Sequence, residues 1–316
     1  MGRPDLLNLS RHVSERHVRK KITRYLESYD IEIVLCAHNR TRNFTFDAEF
    51  TLFCARHGYL DLLKWARKHD CPWHLEICSE AAKQGHVALL KYAHANGARK
   101  ATYTCTHLAE RGDFETLEWA QANGFHLDNS VCRRAALRGD TKMIEWAMSK
   151  GCEAASSTCV AAAEKGHLQT LKRLRELEVP WHGGVCDGAA SNGHLEILEW
   201  AMQRGCRVDS ITVVNAAVNG QVEVLEWLCH HHVPIPRHVM SDCLEHELCI
   251  DVLEWCKKVF ELSEFSDAFV HAIERGHVHV LDWAKKQGFQ FETKHLYAAY
   301  RKKDECITQW FEKNVA

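Results

Sequence analysis

A glycine that recurs every 27 residues constrains this chain more than any other feature. Seven glycines mark six consecutive intervals of that length, at Gly58, Gly85, Gly112, Gly139, Gly166, Gly193 and Gly220. Gly276 follows 56 residues later, and Leu248 and Lys303 occupy the glycine position in two less regular units. A period between about 20 and 50 residues is typical of stacked repeats. The 316 residues therefore predict an array of about ten units, not the two or three domains that length alone suggests.

Each unit is predicted to contain two helices joined by a turn. Cys78, Ala81 and Ala82 precede Gly85 and share one helical face, because residues i, i+3 and i+4 lie together on a helix. Small side chains on this face allow close packing of helices, and the glycine ends the helix with a positive φ. The triad recurs as Cys105/Leu108/Ala109, Cys132/Ala135/Ala136, Cys159/Ala162/Ala163 and Cys186/Ala189/Ala190. We predict an all-α solenoid over residues 46–316.

An aromatic residue recurs at one position of the second helix. It is occupied by Trp65, Tyr92, Trp119, Trp146, Trp200, Trp227, Trp255, Trp283 and Trp310, and Arg173 interrupts the series. An aromatic ligand surface is one interpretation. Because the position repeats in nearly every unit, we favour a buried packing ladder between neighbouring second helices, and we expect Trp146 to be buried.

The N-terminal segment differs from the repeats in charge. Residues 1–42 contain nine Lys/Arg and five Asp/Glu, a net charge of +4, whereas the whole chain carries −2. We interpret residues 1–45 as a basic helical cap with a half-repeat, because terminal repeats need an altered outer face. The overall charge argues against a chain that coats nucleic acid along its length.

Composition also indicates the compartment. The sequence has fifteen cysteines, an odd number, and no apolar stretch near its start that would resemble a secretory signal. This predicts a reducing, intracellular location in the cytoplasm or the nucleus. No apolar run approaches the roughly 20 residues that span a bilayer, so we expect no membrane partner.

Candidate metal and catalytic residues are mostly explained by the repeat. Cys71, His74 and Cys78 have a spacing that zinc could use, but Cys78 occupies the recurring core position and Cys71 a recurring loop position. The sequence contains no G-x-x-x-x-G-K-[ST], H-E-x-x-H or G-x-S-x-G motif. We expect no enzymatic activity, no metal and no cofactor.

The repeat itself resembles a known family. Residues 186–206 read C-x2-A-A-x2-G-H-L-E-x-L-E-W-A-x3-G-C, which resembles ankyrin repeats, and most closely the short repeats of about 27 residues found in large DNA viruses of amoebae and in some protists. The period is shorter than the usual ankyrin repeat of about 33 residues and the T-P-L-H signature is missing. The resemblance implies a non-catalytic protein-protein interaction scaffold, acting within a cell that could be a host cell.

Positions that vary between units are the candidates for partner binding. In ankyrin-like stacks the first helices line the concave side, which implies that residues two before, and two and five after, the core position face the groove. Apolar or basic residues on or beside this side form the candidate set, namely Tyr103, Arg111, Arg133, Arg134, Leu137, Arg138, Ile211 and Val218. Aromatic and arginine side chains are common interface anchors, and scattered surface residues are the open alternative.

We therefore expect a monomeric scaffold that binds an unidentified partner protein through its concave repeat surface. Two alternatives remain open. The first is a recruitment adaptor of the ubiquitin-ligase type that docks a second protein through residues 1–45, although this segment has no Leu-Pro-led F-box pattern. The second is nucleic-acid binding through the basic N-terminus, which a salt titration would reveal because phosphate contacts weaken steeply with salt.

Overall fold

The computed structural model describes residues 47–245 and 250–315, which contain ten successive pairs of α-helices. The predicted N-terminal cap and Leu248 lie outside the described residues. In the first unit the helices are α1 (Ala48–His57), α2 (Leu60–Lys68), α3 (Ile77–Gln84), α4 (Val87–Ala95), α5 (Thr104–Arg111) and α6 (Phe114–Ala122). The predicted all-α array of helix pairs is confirmed, and the described residues form no strand.

The helices of the second unit continue the alternation. They are α7 (Asn129–Arg138), α8 (Thr141–Ser149), α9 (Ser156–Glu164), α10 (Leu168–Glu176), α11 (Gly184–Ser191), α12 (Leu195–Gln203), α13 (Ser210–Val218), α14 (Val222–His230), α15 (Val239–Glu245), α16 (Ile250–Val259), α17 (Ser266–Arg275), α18 (Val278–Lys286), α19 (Thr293–Lys302) and α20 (Glu305–Asn314). A short 3-10 helix, Leu262–Phe265, precedes α17. Odd-numbered helices are the first helices of their repeats, and even-numbered helices are the second.

Two compact units divide the chain after His126. Within each unit, the first helices of successive repeats pack directly on one another, as α1 does on α3 and α7 does on α9. The 27-residue period runs unchanged through this point of the sequence and does not predict the division.

The turn glycines end the first helices as predicted. Gly112 has φ +74°, and the amide of the following Asp113 donates to the Leu108 carbonyl at 3.0 Å, which satisfies a carbonyl that the helix end leaves open. Lys303 adopts the same left-handed conformation, with φ +58°, in a unit that lacks the glycine. The repeat therefore keeps its turn geometry even where a side chain must accept a strained backbone.

The core is built from the recurring small residues. The core-position cysteines Cys78, Cys105, Cys132, Cys159 and Cys186 are at most 1% exposed. Their alanine partners are buried equally well, so adjacent first helices approach closely. In the described part of the chain no helix exceeds ten residues, and none could cross a membrane.

The aromatic ladder is buried only at the end of the second unit. Trp255, Trp283 and Trp310 are 3%, 6% and 7% exposed, whereas the earlier members, including Trp146, are half-buried. The expectation that Trp146 is buried is wrong. Two of the buried members contact phenylalanine rings: the Phe265 ring centroid lies 6.1 Å from that of Trp283, and the Phe291 ring centroid lies 5.4 Å from that of Trp310. Both also donate an indole N–H bond to a carboxylate of the preceding second helix, whereas Trp200 is half-buried although Trp181 lies beside it.

Candidate protein-binding surface

The residue after the turn glycine joins each repeat to the one before it. His167 Nε2 lies 3.2 Å from the Leu137 carbonyl oxygen, and His194 Nε2 lies 3.2 Å from that of Glu164. A carbonyl can only accept, so these ring nitrogens carry the proton and donate. Gln221 Nε2 donates to the equivalent carbonyl at 3.4 Å. These side chains therefore hold the stack together, and their repetition needs no ligand to explain it.

Units with aspartate after the glycine use a different donor for the same carbonyl. Asp113 accepts from the Thr116 amide at 3.1 Å and so caps the second helix. Arg111, two residues earlier, donates from Nη1 to the Lys83 carbonyl at 3.3 Å. In the last repeat, Lys302 donates to the corresponding Glu274 carbonyl at 2.5 Å. A basic residue two positions before the aspartate thus replaces the histidine.

This exchange gives Arg111 a structural role that sequence reasoning missed. A Cβ atom added to Gly85 would lie 2.3 Å from the Arg111 guanidinium, so the arginine covers the preceding turn. Arg138 has the same position before Gly139 and Asp140. The sequence does distinguish these units. They contain a basic residue, then Gly or Lys, then Asp, where other units have Gly followed by His. Partner binding by Arg111 and Arg138 stays a prediction.

The other predicted residues are distributed over both units. Tyr103 belongs to the first unit, where it is 56% exposed immediately before α5. Arg133, Arg134 and Leu137 share α7 of the second unit and are all half-buried, so Leu137 is less exposed than expected. Ile211 and Val218 lie further along the second unit, on α13.

Ile211 and Val218 belong to an apolar stripe that includes a residue missed from sequence. Ile211 is 59% exposed at the start of α13, and Val214 and Val218 are half-buried. Their i, i+3, i+7 spacing places them on one side of the helix. The opposite side, which contains Val213 and Ala217, is fully buried in the repeat stack. The stripe is therefore not required for packing of α13.

Beside the stripe, α11 has glycine at two of its face positions. Gly184 and Gly188 occupy the positions equivalent to Ile211 and Asn215. A Cβ at Gly184 would lie 2.6 Å from the His182 ring, and a Cβ at Gly188 would lie 2.9 Å from Glu164 Cγ. Neighbouring polar side chains therefore cover both glycines, and the apolar surface is confined to α13.

We define the first-helix face as the positions two before and one, two and five after the core position in α9, α11, α13, α15 and α17. Ala161 and Gly188 at these positions are buried. The carboxylates of this face include Glu164, Asp187, Asp242 and Glu274. No lysine or arginine occupies any of these positions in the five helices, whereas Arg133, Arg134, Lys294 and Arg301 occupy them in α7 and α19. The first-helix face is therefore acidic, with basic helices on either side.

Local contacts neutralise the acidic face in part, most clearly at α17, where Lys294 of α19 pairs with Asp267 at 2.7 Å. Asp242 lies 3.7 Å from His238 Nε2, which is cationic only when protonated. Partial burial raises the pKa of the Asp187 carboxyl, although the Thr212 hydroxyl donates to its Oδ1 at 2.7 Å. Arg207, in the loop before α13, pairs with Asp209 at 3.0 Å and so does not neutralise the face.

The cysteines are placed for packing. Burial raises the pKa of the Cys78 thiol to about 12 and that of Cys159 to about 11, so both remain protonated at neutral pH and are poor nucleophiles. Cys71 Sγ donates to the Asp47 carbonyl at 3.1 Å. Among residues 47–245 and 250–315, no three His, Cys, Asp or Glu side chains converge as metal ligands would.

No protein-family model matches the sequence, and no curated protein is significantly similar to it. Comparisons with solved structures include the following two partial similarities. The ankyrin repeat domain of human ASB11 is 17% identical with a TM-score of 0.43, over 59% of this chain and 99% of that domain. The pentatricopeptide repeat protein PPR10 from maize is 14% identical with a TM-score of 0.42, over 78% of this chain and 45% of that chain.

TM-scores and identities this low do not define the fold, which is established by the features of the chain itself. The 27-residue period, the ten helix pairs and the turn geometry confirm the predicted ankyrin-like solenoid of helix-turn-helix repeats. The likeness to viral and protist repeats stays a prediction.

Proposed function

We propose that this chain is a non-catalytic scaffold that binds a partner protein through the exposed sides of its first helices. The observation that carries the proposal is the stripe of Ile211, Val214 and Val218, which exposes apolar surface that the repeat stack does not use. Exposed apolar side chains that lie together, rather than singly, are typical of interaction surfaces.

A rigid repeat array suits this role. The face is formed by helices whose opposite sides are fully buried, so little conformational entropy is lost when a partner binds. The cysteines of the described residues are all free, which supports function in a reducing, intracellular compartment. We propose that Tyr103, Arg133, Arg134 and Leu137 add contacts within their own units.

Site-specific photo-cross-linking tests the proposal. A photo-reactive amino acid is placed at residue 211 and, as a control, at residue 202 on α12, where Met202 is 37% exposed. Irradiation in extract of the cells that express the protein should give a discrete cross-linked species from position 211 and not from position 202. Equal yields from both positions, or none from either, would contradict binding through this face.

A further inference from the structure

We infer that the first-helix face binds a segment of a partner protein that combines aliphatic residues with lysine or arginine. This inference rests on the proposed function and specifies the chemistry of the partner. It follows from two features that occur together on α9 to α17, an apolar stripe at the centre and carboxylates around it, without a basic residue at any face position.

The apolar stripe requires aliphatic residues in the partner. Ile211 is 59% exposed, and Val214 and Val218 continue the apolar surface along α13. The equivalent positions of α11 are Gly184, Asp187 and Ser191, so the apolar surface is one helix wide with a carboxylate beside it. Aliphatic side chains of the partner would cover this surface and remove it from water.

The carboxylates require a cationic partner. Glu164, Asp242 and Glu274 lie on three different helices along the row, so they present spaced negative charges rather than one cluster. Lysine or arginine residues of the partner would pair with them, and such pairs favour encounter and fix the register of binding. An acidic segment or a nucleic acid would meet like charge at each of these three carboxylates.

The spacing of the helices sets the length of the segment. Packed helices are about 8–10 Å apart, so four intervals from α9 to α17 span about 32–40 Å. An extended chain advances about 3.3–3.6 Å per residue. A segment of about 9 to 12 residues therefore crosses the face, with its aliphatic residues near the middle, over α13.

Selection from a random peptide library tests the inference. The full-length protein is immobilised and challenged with random 16-residue peptides displayed on phage. We expect the enriched peptides to carry net positive charge and at least two aliphatic residues within about 9 to 12 positions. Their affinities are then measured by fluorescence anisotropy at low and high salt.

Matched variants locate the binding. Ile211→Thr, Val214→Thr and Val218→Thr together keep β-branched shape and remove the apolar surface; we expect binding about 10- to 30-fold weaker. Met202→Gln with Val259→Thr, two residues that are each 37% exposed on second helices, should leave affinity unchanged. Glu164→Gln with Asp242→Asn should weaken binding and flatten its salt dependence, whereas Glu196→Gln with Glu199→Gln on α12 should do neither. Circular dichroism confirms that each variant is folded.

The outcomes separate the inference from the proposed function. Enriched acidic peptides that lose affinity in the triple threonine variant would overturn the partner chemistry and leave the face as a binding surface. Basic peptides whose affinity is equal in the triple variant and its control would show that binding lies elsewhere, which overturns both. Failure to enrich any peptide would overturn the inference, because a short linear segment would then not suffice, while the cross-linking experiment still decides the proposed function.

Discussion

The middle repeats of the second unit and its last two repeats pack the same positions with side chains of very different size. In the middle, Cys186 at the core position faces Cys206 in the loop twenty residues later. Near the end, Phe269 and Phe289 take these two places, with ring centroids 4.5 Å apart. The backbone pattern is the same in both regions, with Gly166 and Gly276 in matching left-handed turns. The period thus fixes the helix pair, and side-chain size is adjusted from one repeat to the next.

The difference changes how much of each repeat meets solvent. Trp200 is half-buried in the middle region, with Trp181 beside it at 5.6 Å between ring centroids. Trp283 and Trp310 are buried, and their indole N–H groups donate to Glu254 and Asp282 at 2.6 Å. The last repeats therefore carry a larger aromatic core, whereas the middle repeats have small cores and carry the apolar stripe that the stack does not need.

Core truncation should give the largest difference between the two regions. Phe269→Ala removes a fully buried ring and should cost about 3–5 kcal/mol. Cys186→Ala removes a single buried sulfur and should cost about 1 kcal/mol, because a buried thiol behaves as a small apolar group. Hydrogen exchange of the flanking helices measures both, since repeat proteins open locally. Equal costs would mean that the aromatic core contributes no more than the small one.

The ladder tryptophans should differ in the same sense. Trp283→Ala removes a buried side chain and its hydrogen bond to Glu254, and should cost about 3–5 kcal/mol. Trp146→Ala should cost about half as much, because Trp146 is half-buried. Urea unfolding followed by the remaining tryptophan fluorescence reports each change. A larger loss for Trp146→Ala would contradict the observed burial.

The turn glycines should separate the regions more finely. At Gly166 an added Cβ would lie 2.8 Å from the His194 ring, whereas at Gly276 the nearest atom is Lys302 Nζ at 3.4 Å. Alanine in either left-handed turn should cost about 1–2 kcal/mol. Gly166→Ala should cost about 1 kcal/mol more, since the ring must move and its hydrogen bond is lost. Thermal unfolding of the two variants, measured side by side, checks this difference. Equal costs would contradict it, because they would mean that the His194 ring moves aside freely.

Histidine replacement tests the connection between repeats with the smallest effect. His194→Ala should cost about 1 kcal/mol, because it removes the donor to the Glu164 carbonyl. His194→Gln should recover most of this, since Gln221 makes the equivalent bond naturally. The free energies of unfolding of the two variants are then compared. Equal values would contradict a stabilising hydrogen bond and would mean that the His194 ring only packs over the turn.

Much of the fold could be predicted from sequence because its requirements are local. A positive φ favours glycine, and close helices favour Cys and Ala, so Gly112 and Cys105 reveal their roles by recurrence alone. The role of Arg111 could not be predicted in this way. It depends on which residue follows the glycine in its own unit, and on a carbonyl 28 residues earlier.

The candidate surface was predicted in part for a related reason. Ile211 is apolar where a repeat needs no apolar residue, which sequence alone reveals. Val214 was missed because it directly follows the core position, where no groove-facing residue was expected, and only the structure shows that it is half-buried on the side of Ile211. Trp283 contacts Phe265 of the 3-10 helix before α17, a contact outside the recurring helix pair, so the repeat pattern alone could not predict its burial.

Hydrogen exchange of the full-length protein, with and without the tightest peptide from the selection, tests the central claim most directly. The claim is that recurring residues build the stack and varying residues of the first helices bind the partner. Exchange should slow along α11, α13 and α15 on peptide addition and remain unchanged along α10, α12 and α14. Slowed exchange confined to the second helices or to the turns that hold His167 and His194 would contradict it.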